Sequence, residues 1–126
     1  MNNYTRLFII LMLIALAYLA DISKAHAAWT PQDTQRELTY DSLLMLDATQ
    51  TKAAMSKPGF RETNPLLGSH PSSGSINKHF AEAGIIHAAV SYLSPTIYRK
   101  SWQWGSLFIE GLVVAHNAYL GASLKF

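Results

Sequence analysis

Four ionisable side chains sit among aliphatic neighbours. Asp47 follows Leu43-Leu44-Met45-Leu46, His87 lies between Gly84-Ile85-Ile86 and Ala88-Ala89-Val90, Glu110 is flanked by Leu107-Phe108-Ile109 and Leu112-Val113-Val114, and His116 follows Val113-Val114-Ala115. An isolated charge is expensive to take out of water, so each group requires a partner or a shifted pKa. The string ETNP adds Glu62 and Asn64, and Asn117 follows His116. Two chemistries suit this set. One is a hydrogen-bonded ionic network of Asp47, Glu62, Asn64, His87, Glu110, His116 and Asn117 that needs no cofactor. The other is a divalent metal held by members of Asp47, Glu62, His87, Glu110 and His116, because carboxylates and imidazoles on facing helices are how bundles bind such ions. In that case Glu110 or Glu62 is the general base, and the metal-bound water is the nucleophile of a membrane hydrolase. The metal reading rests on composition alone, since neither a Glu-x-x-His pair nor HExxH occurs. No catalytic residue is assigned. G-x-S-x-G, phosphate-loop and dinucleotide motifs are absent, and Ser69-His70 is too local to make a triad.

Helical spacing sorts these residues. At about 100° per residue, Gln103, Ser106, Glu110, Val114, Asn117 and Gly121 share one stripe, and His116 lies off it. Asp47 shares a face with Tyr40, Leu43, Leu44, Gln50, Thr51 and Ala54. His87 shares one with Phe80, Ala83, Gly84 and Ser91, and His79 and Glu82 are one turn apart.

The elements that must position them are helices. Thr30 caps and Pro31 opens a first helix, predicted over 31–56 and stopped by Pro58-Gly59, with Asp33 at the positive end of its dipole. Residues 57–75 form a long loop holding three of the five prolines and three of the seven glycines. Its Phe60, Leu66 and Leu67 require burial, so the loop is expected to fold back onto the helices, with ETNP and HPSSGS supplying caps. A second helix starts near Ser75 or Ile76 and ends before Pro95. A third starts at Pro95, with Ser94 as cap, and runs to about Gly121.

Composition bounds the rest. The chain has 126 residues, enough for one domain. It is 49% hydrophobic and 14% charged, against roughly 25% charged in an ordinary soluble domain. The net charge is +2 with no basic tract, which excludes a nucleic-acid partner. With no cysteine, disulfides, zinc ribbons and thiol nucleophiles are excluded. Residues 1–27 have the three parts of a secretory signal. Arg6 and the amino terminus form a positive start, LFIILMLIALAYLA at 7–20 is an apolar run short of a full span, and Ala25-His26-Ala27 is a small-residue cleavage pattern. The alternative is an uncleaved signal anchor. Trp29, Trp102 and Trp104 near helix starts, with Tyr92 and Tyr98, suit a membrane interface.

Residues 43–121 resemble a group of small uncharacterised bacterial and phage-borne, membrane-associated proteins. The resemblance is carried by Asp47 and Thr51, the loop ETNPLLGSHPS at 62–72, His87, Trp102-Gln103, Glu110 and His116-Asn117. It implies a small helical membrane-associated protein and transfers no activity.

The expectation is an all-α antiparallel three-helix bundle in 28–126, or four helices if the leader is retained. Its expected place is the inner membrane facing the periplasm, as a non-enzymatic envelope or phage-related accessory protein whose partner is lipid or another envelope protein. A metal-dependent membrane hydrolase and a soluble periplasmic module with the loop as a lid over a small ligand are the alternatives.

Overall fold

The computed structural model describes residues 29–121, and the secretory signal expected at 1–27 lies outside that range. Three helices follow one another: α1 (Pro31–Met55), α2 (Ser73–Leu93) and α3 (Thr96–Tyr119). The described residues are all-α, as expected, and contain no strand.

Local sequence sets the helix ends. Thr30 and Asp33 make a capping box at α1: the Thr30 hydroxyl accepts from the Asp33 N–H, and the Asp33 carboxylate accepts from the Thr30 N–H at 2.8 Å. The chain leaves α1 through Ser56 and turns at Gly59, whose φ of +85° is open to glycine at little cost. α2 starts earlier than the expected Ser75. Ser72 caps it instead, accepting from the Ser75 N–H at 3.1 Å, so the serine run SSGS contributes its first residue as the cap and its last as the capped donor. Between α2 and α3 the expected cap Ser94 is the C-cap of α2. Pro95 opens α3 with no side-chain cap.

Sequential helices run antiparallel, so α1 and α3 are parallel. Glu37 meets His87, and Asp41 approaches Gly84, across the α1–α2 crossing. Asp33 meets Arg99 and Asp47 meets Asn117 along the α1–α3 pair, which is the more extensive of the two contacts. The loop is tied into this frame. The Glu62 N–H donates to the Ser69 carbonyl at 3.1 Å and closes residues 62–69 into a compact lobe, and Lys57 donates to the Gly121 carbonyl at the end of α3.

The burial pattern is reversed from that of an ordinary soluble bundle. The buried hydrophobic side chains are Leu44, Ala48, Ala54 and Ile76. Buried alongside them are Asp33, Glu37, Asp47, Gln50, Thr51, His87, Arg99 and Gln103. Outside stand Leu38, Met45, Ile85, Ile86, Ile97, Phe108, Ile109 and Leu112, each more than half exposed. The helices therefore meet along polar seams and turn apolar side chains outward.

Candidate functional site: two polar clusters and a loop-covered pocket

The inward stripe of α1 reads Asp33, Glu37, Tyr40, Leu44, Asp47 and Thr51, stepping by three or four residues. It organises two polar clusters, one at each end of the bundle.

The first cluster joins the start of α1, the end of α2 and the start of α3. Arg99, 2% exposed, donates from Nε to the Ser91 carbonyl at 2.9 Å, from Nη2 to the Ser94 carbonyl at 3.1 Å, and from Nη1 to Asp33 Oδ2 at 3.2 Å. One guanidinium thus satisfies the terminal carbonyls of α2, where the helix dipole favours a cation, and neutralises the capping carboxylate of α1. Its plane lies over the Trp29 ring at 5.2 Å. Arg36 adds a second contact to Asp33 at 2.5 Å. Burial acts to raise the Asp33 pKa, but hydrogen bonds from Thr30, Arg36 and Arg99 outweigh it and hold the carboxyl below its ordinary value.

Gln103 is the amide centre of this cluster and is fully buried. Its Oε1 accepts from Arg36 Nε at 2.6 Å, while its Nε2 donates to Glu37 Oε1 at 2.8 Å and to the Asp33 carbonyl at 3.2 Å. Glu37 Oε2 in turn meets His87 Nδ1 at 2.8 Å. The His87 ring is stacked between Tyr40, 3.8 Å away by centroids, and Trp102, 5.2 Å away, and its Nε2 is enclosed with no hydrogen-bond partner.

The second cluster lies under the loop. Asp47, 8% exposed, accepts from Asn117 Nδ2 at 2.5 Å and from the Thr51 hydroxyl at 3.4 Å, both on Oδ1. Burial pushes the Asp47 carboxyl up, and the nearby Glu62 charge adds to this. Glu110 on α3 shows the largest effect: burial first, then the charge of Asp47, pushes its carboxyl up to about 7, and its Oε1 is enclosed without a donor. Tyr40, between the clusters, is pushed up to about 12 by burial and by the charges of Glu110, Asp41 and Glu37.

The loop's ETNP string folds on itself rather than capping a helix. Glu62 Oε1 accepts from the Asn64 N–H at 2.7 Å, and Asn64 Oδ1 accepts from the Leu66 N–H at 3.0 Å. Asn64 Nδ2 then reaches α2 at His79 Nε2, 3.2 Å away. Loop and helices enclose a half-open cavity of about 570 Å³, lined by Asp47, Glu62, Asn64, Glu110, His116 and Asn117 among others, with Tyr40, Phe80, Leu44, Leu67 and Val113 as its apolar walls.

Six of the seven residues expected at a shared polar site therefore line one cavity: Asp47, Glu62, Asn64, Glu110, His116 and Asn117. His116 is exposed at its edge, in keeping with its place off the Glu110 stripe. His87 is not brought there and belongs to the Glu37 cluster. The set Asp47, Glu62, His87, Glu110 and His116 is thus divided, and among the described residues no three His, Asp or Glu side chains converge as metal ligands would. Sequence reasoning missed Glu37, Arg99, Gln103 as an amide centre, and His79. The signal for Glu37 was present, because it lies ten residues before Asp47 and one turn after Asp33 on the same stripe.

No family model, curated protein or solved structure matches this chain.

Proposed function

We propose that this chain is a small, membrane-associated, non-enzymatic envelope protein whose outer helix faces lie against lipid. The reversed burial carries this reading. Soluble monomers rarely expose contiguous large apolar patches, yet Ile85, Ile86, Phe108, Ile109 and Leu112 stand outward on α2 and α3 while Asp33, Glu37, Arg99 and Gln103 are enclosed. Such an arrangement is favoured where the surroundings are as apolar as the side chains that face them and polar groups find partners inside.

Two further features support it. Trp29, Tyr92, Tyr98, Trp102 and Trp104 all lie where α1 and α3 begin and α2 ends, the position of an interfacial aromatic belt. The outward hydroxyls of Thr39, Ser42, Thr49 and Ser101 each donate to a carbonyl of their own helix, so they need no water. Among the described residues no helix is long and apolar enough to cross a membrane, and the reading asks for lipid contact, not for a span. The signal-like pattern of residues 1–27 directs the protein to the periplasmic side of the inner membrane. A phage-related accessory role fits that setting.

A second reading, a ligand-binding module in the periplasm, draws on the loop-covered cavity. Cell fractionation separates the two. Retention in the membrane pellet through alkaline and high-salt washes, with release by detergent, is expected. Release of the whole population by osmotic shock overturns membrane association and leaves the soluble module.

A further inference from the structure

We propose that the open trough between α1 and α2 is where a second copy of this chain docks, in a twofold pair that runs the two α1 helices antiparallel and sets Asp41 of each copy against Lys52 of the other. On α1 the trough is lined by Asp41, Met45, Ala48 and Lys52, and on α2 by Asn77, Ala81, Gly84 and Ala88. Both sets step by four, three and four residues, so each is one continuous stripe of about three turns. That is the spacing of a helix seam that receives another helix. The α2 stripe is uncharged and, apart from Asn77, consists of alanine and glycine, which lets helices approach closely.

The charges select the occupant. Asp41 and Lys52 stand at opposite ends of the α1 stripe, eleven residues and about 16 Å apart. Among the described residues neither side chain has a hydrogen-bond or ion-pair partner. Burial first, then the charge of Glu37, pushes the Asp41 carboxyl up, and His87 offsets only part of this. A twofold axis crossing α1 between Leu46 and Asp47 brings each of the two groups onto the other's counterpart, makes two ion pairs and sets Met45 over Ala48. A surface that pairs with itself must be complementary to itself, and opposite charges equidistant from its centre supply that complementarity. An acyl chain, or the uncharged run at 7–20, would fill the apolar middle of the trough and leave both charges unmet.

The pair also covers Met45 and Ile85, which line the trough and are 72% and 71% exposed in the single chain. Of the outward residues assigned to lipid only Ile85 lies in the trough, so Ile86, Phe108, Ile109 and Leu112 stay outside it. A twofold of this kind reverses the helices, so two copies on one bilayer lie along its surface, and the membrane reading asks for contact and not for a span. The pairing holds equally for a soluble module, so cell fractionation does not bear on it.

The test is sedimentation equilibrium of the purified full chain, in an uncharged detergent at pH 7, over a range of concentrations. The native chain is expected to form a dimer. Asp41→Lys and Lys52→Glu each set like charges in contact twice, and each alone is expected to weaken the dimer roughly ten-fold or more, with the helix content of the native chain by circular dichroism. Mixed in equal amounts, the two variants are expected to form a heterodimer, because every facing pair is then of opposite sign. Asp41→Asn, which removes the charge at nearly constant size, is expected to weaken the dimer less. Three results overturn the proposal: a native chain that stays monomeric, either charge reversal pairing with itself as tightly as the native chain does, or a mixture of the two no more dimeric than its components.

Discussion

Asp47 and Asn117, seventy residues apart, meet at 2.5 Å and fix the register of the parallel helices α1 and α3 at their distal halves. The contact is charge-assisted and mostly buried, so the Asn117 amide satisfies a carboxylate that otherwise has only the longer Thr51 hydroxyl bond. Removing the amide strands the acceptor. Asn117→Ala is expected to lower stability by about 1–3 kcal/mol, read by denaturant unfolding of the purified chain. Asn117→Ala combined with Asp47→Asn should recover part of that loss, because the charge left behind is what makes the single change costly.

At the opposite end Arg99 carries a heavier duty. It neutralises Asp33 and satisfies two carbonyls of α2 at once. Arg99→Ala leaves Asp33 with Arg36 as its remaining cation and strands the Ser91 and Ser94 carbonyls, and a loss of about 1–3 kcal/mol for each stranded group is expected. Arg99→Lys should rescue little, since a single ammonium cannot reproduce the guanidinium fork across three acceptors. Thermal unfolding of both variants checks this: near-native stability of Arg99→Lys contradicts it.

The folded chain should become less stable as pH rises from 5 to 8. Glu110, facing Asp47, Glu62, Tyr40, His79 and His116 around the cavity, has a carboxyl raised from 4.5 to about 7. A group raised in the folded state holds its proton longer when folded, so its contribution is complete below about 4.5 and is lost as pH passes through about 7. Asp47 and Asp41, also raised, act in the same direction at lower pH, whereas the lowered Asp33 withdraws stability only in stronger acid. Melting curves across this interval should show the decline, and Glu110→Gln should flatten it while raising the melting temperature at pH 8. An unchanged slope in that variant assigns the dependence elsewhere.

Gly84 sits at the α1–α2 crossing without needing to be glycine. A methyl group there meets Asp41 Oδ1 at 3.4 Å and the Leu44 side chain at 3.6 Å, which are ordinary contacts, and its φ is helical. Replacing a helix-interior glycine relieves backbone entropy, so Gly84→Ala is expected to stabilise the protein by about 0.5–1 kcal/mol. A destabilised Gly84→Ala would show that the two helices approach more closely than these distances describe.

Much of the architecture was legible because prolines and caps punctuate the chain. Thr30-Pro31, Pro58-Gly59 and Pro95 bracket the helices closely, while the caps were less legible: Ser72 serves α2, and Ser94, expected to cap α3, ends α2 instead. The distal cluster was legible because Glu110 and Asn117 are one heptad apart and the loop string carries its own polar groups. His87 was misplaced for a physical reason. The phase of a helix tells which residues share its face, not which level of the neighbouring helix that face meets. The antiparallel α1–α2 pairing sets His87 opposite Glu37 rather than Asp47. Arg99 escaped notice because a basic residue beside Tyr98 and Lys100 reads as part of an interface at the helix start, and only the turn at Ser94-Pro95 swings it back under the end of α2.

The central claim, that apolar side chains face lipid while the polar ones face each other, is most directly tested by cysteine accessibility. The native chain has no cysteine, so single cysteines at Phe108 and at Lys78 report without background. Phe108 is 69% exposed on the apolar face of α3, and the Lys78 side chain is 75% exposed beside Glu82. In native membranes opened to both sides, a water-soluble maleimide is expected to label Lys78→Cys readily and to label Phe108→Cys only after detergent is added. Equal labelling of both positions before detergent would contradict the account, because the outer face of α3 would then be in water.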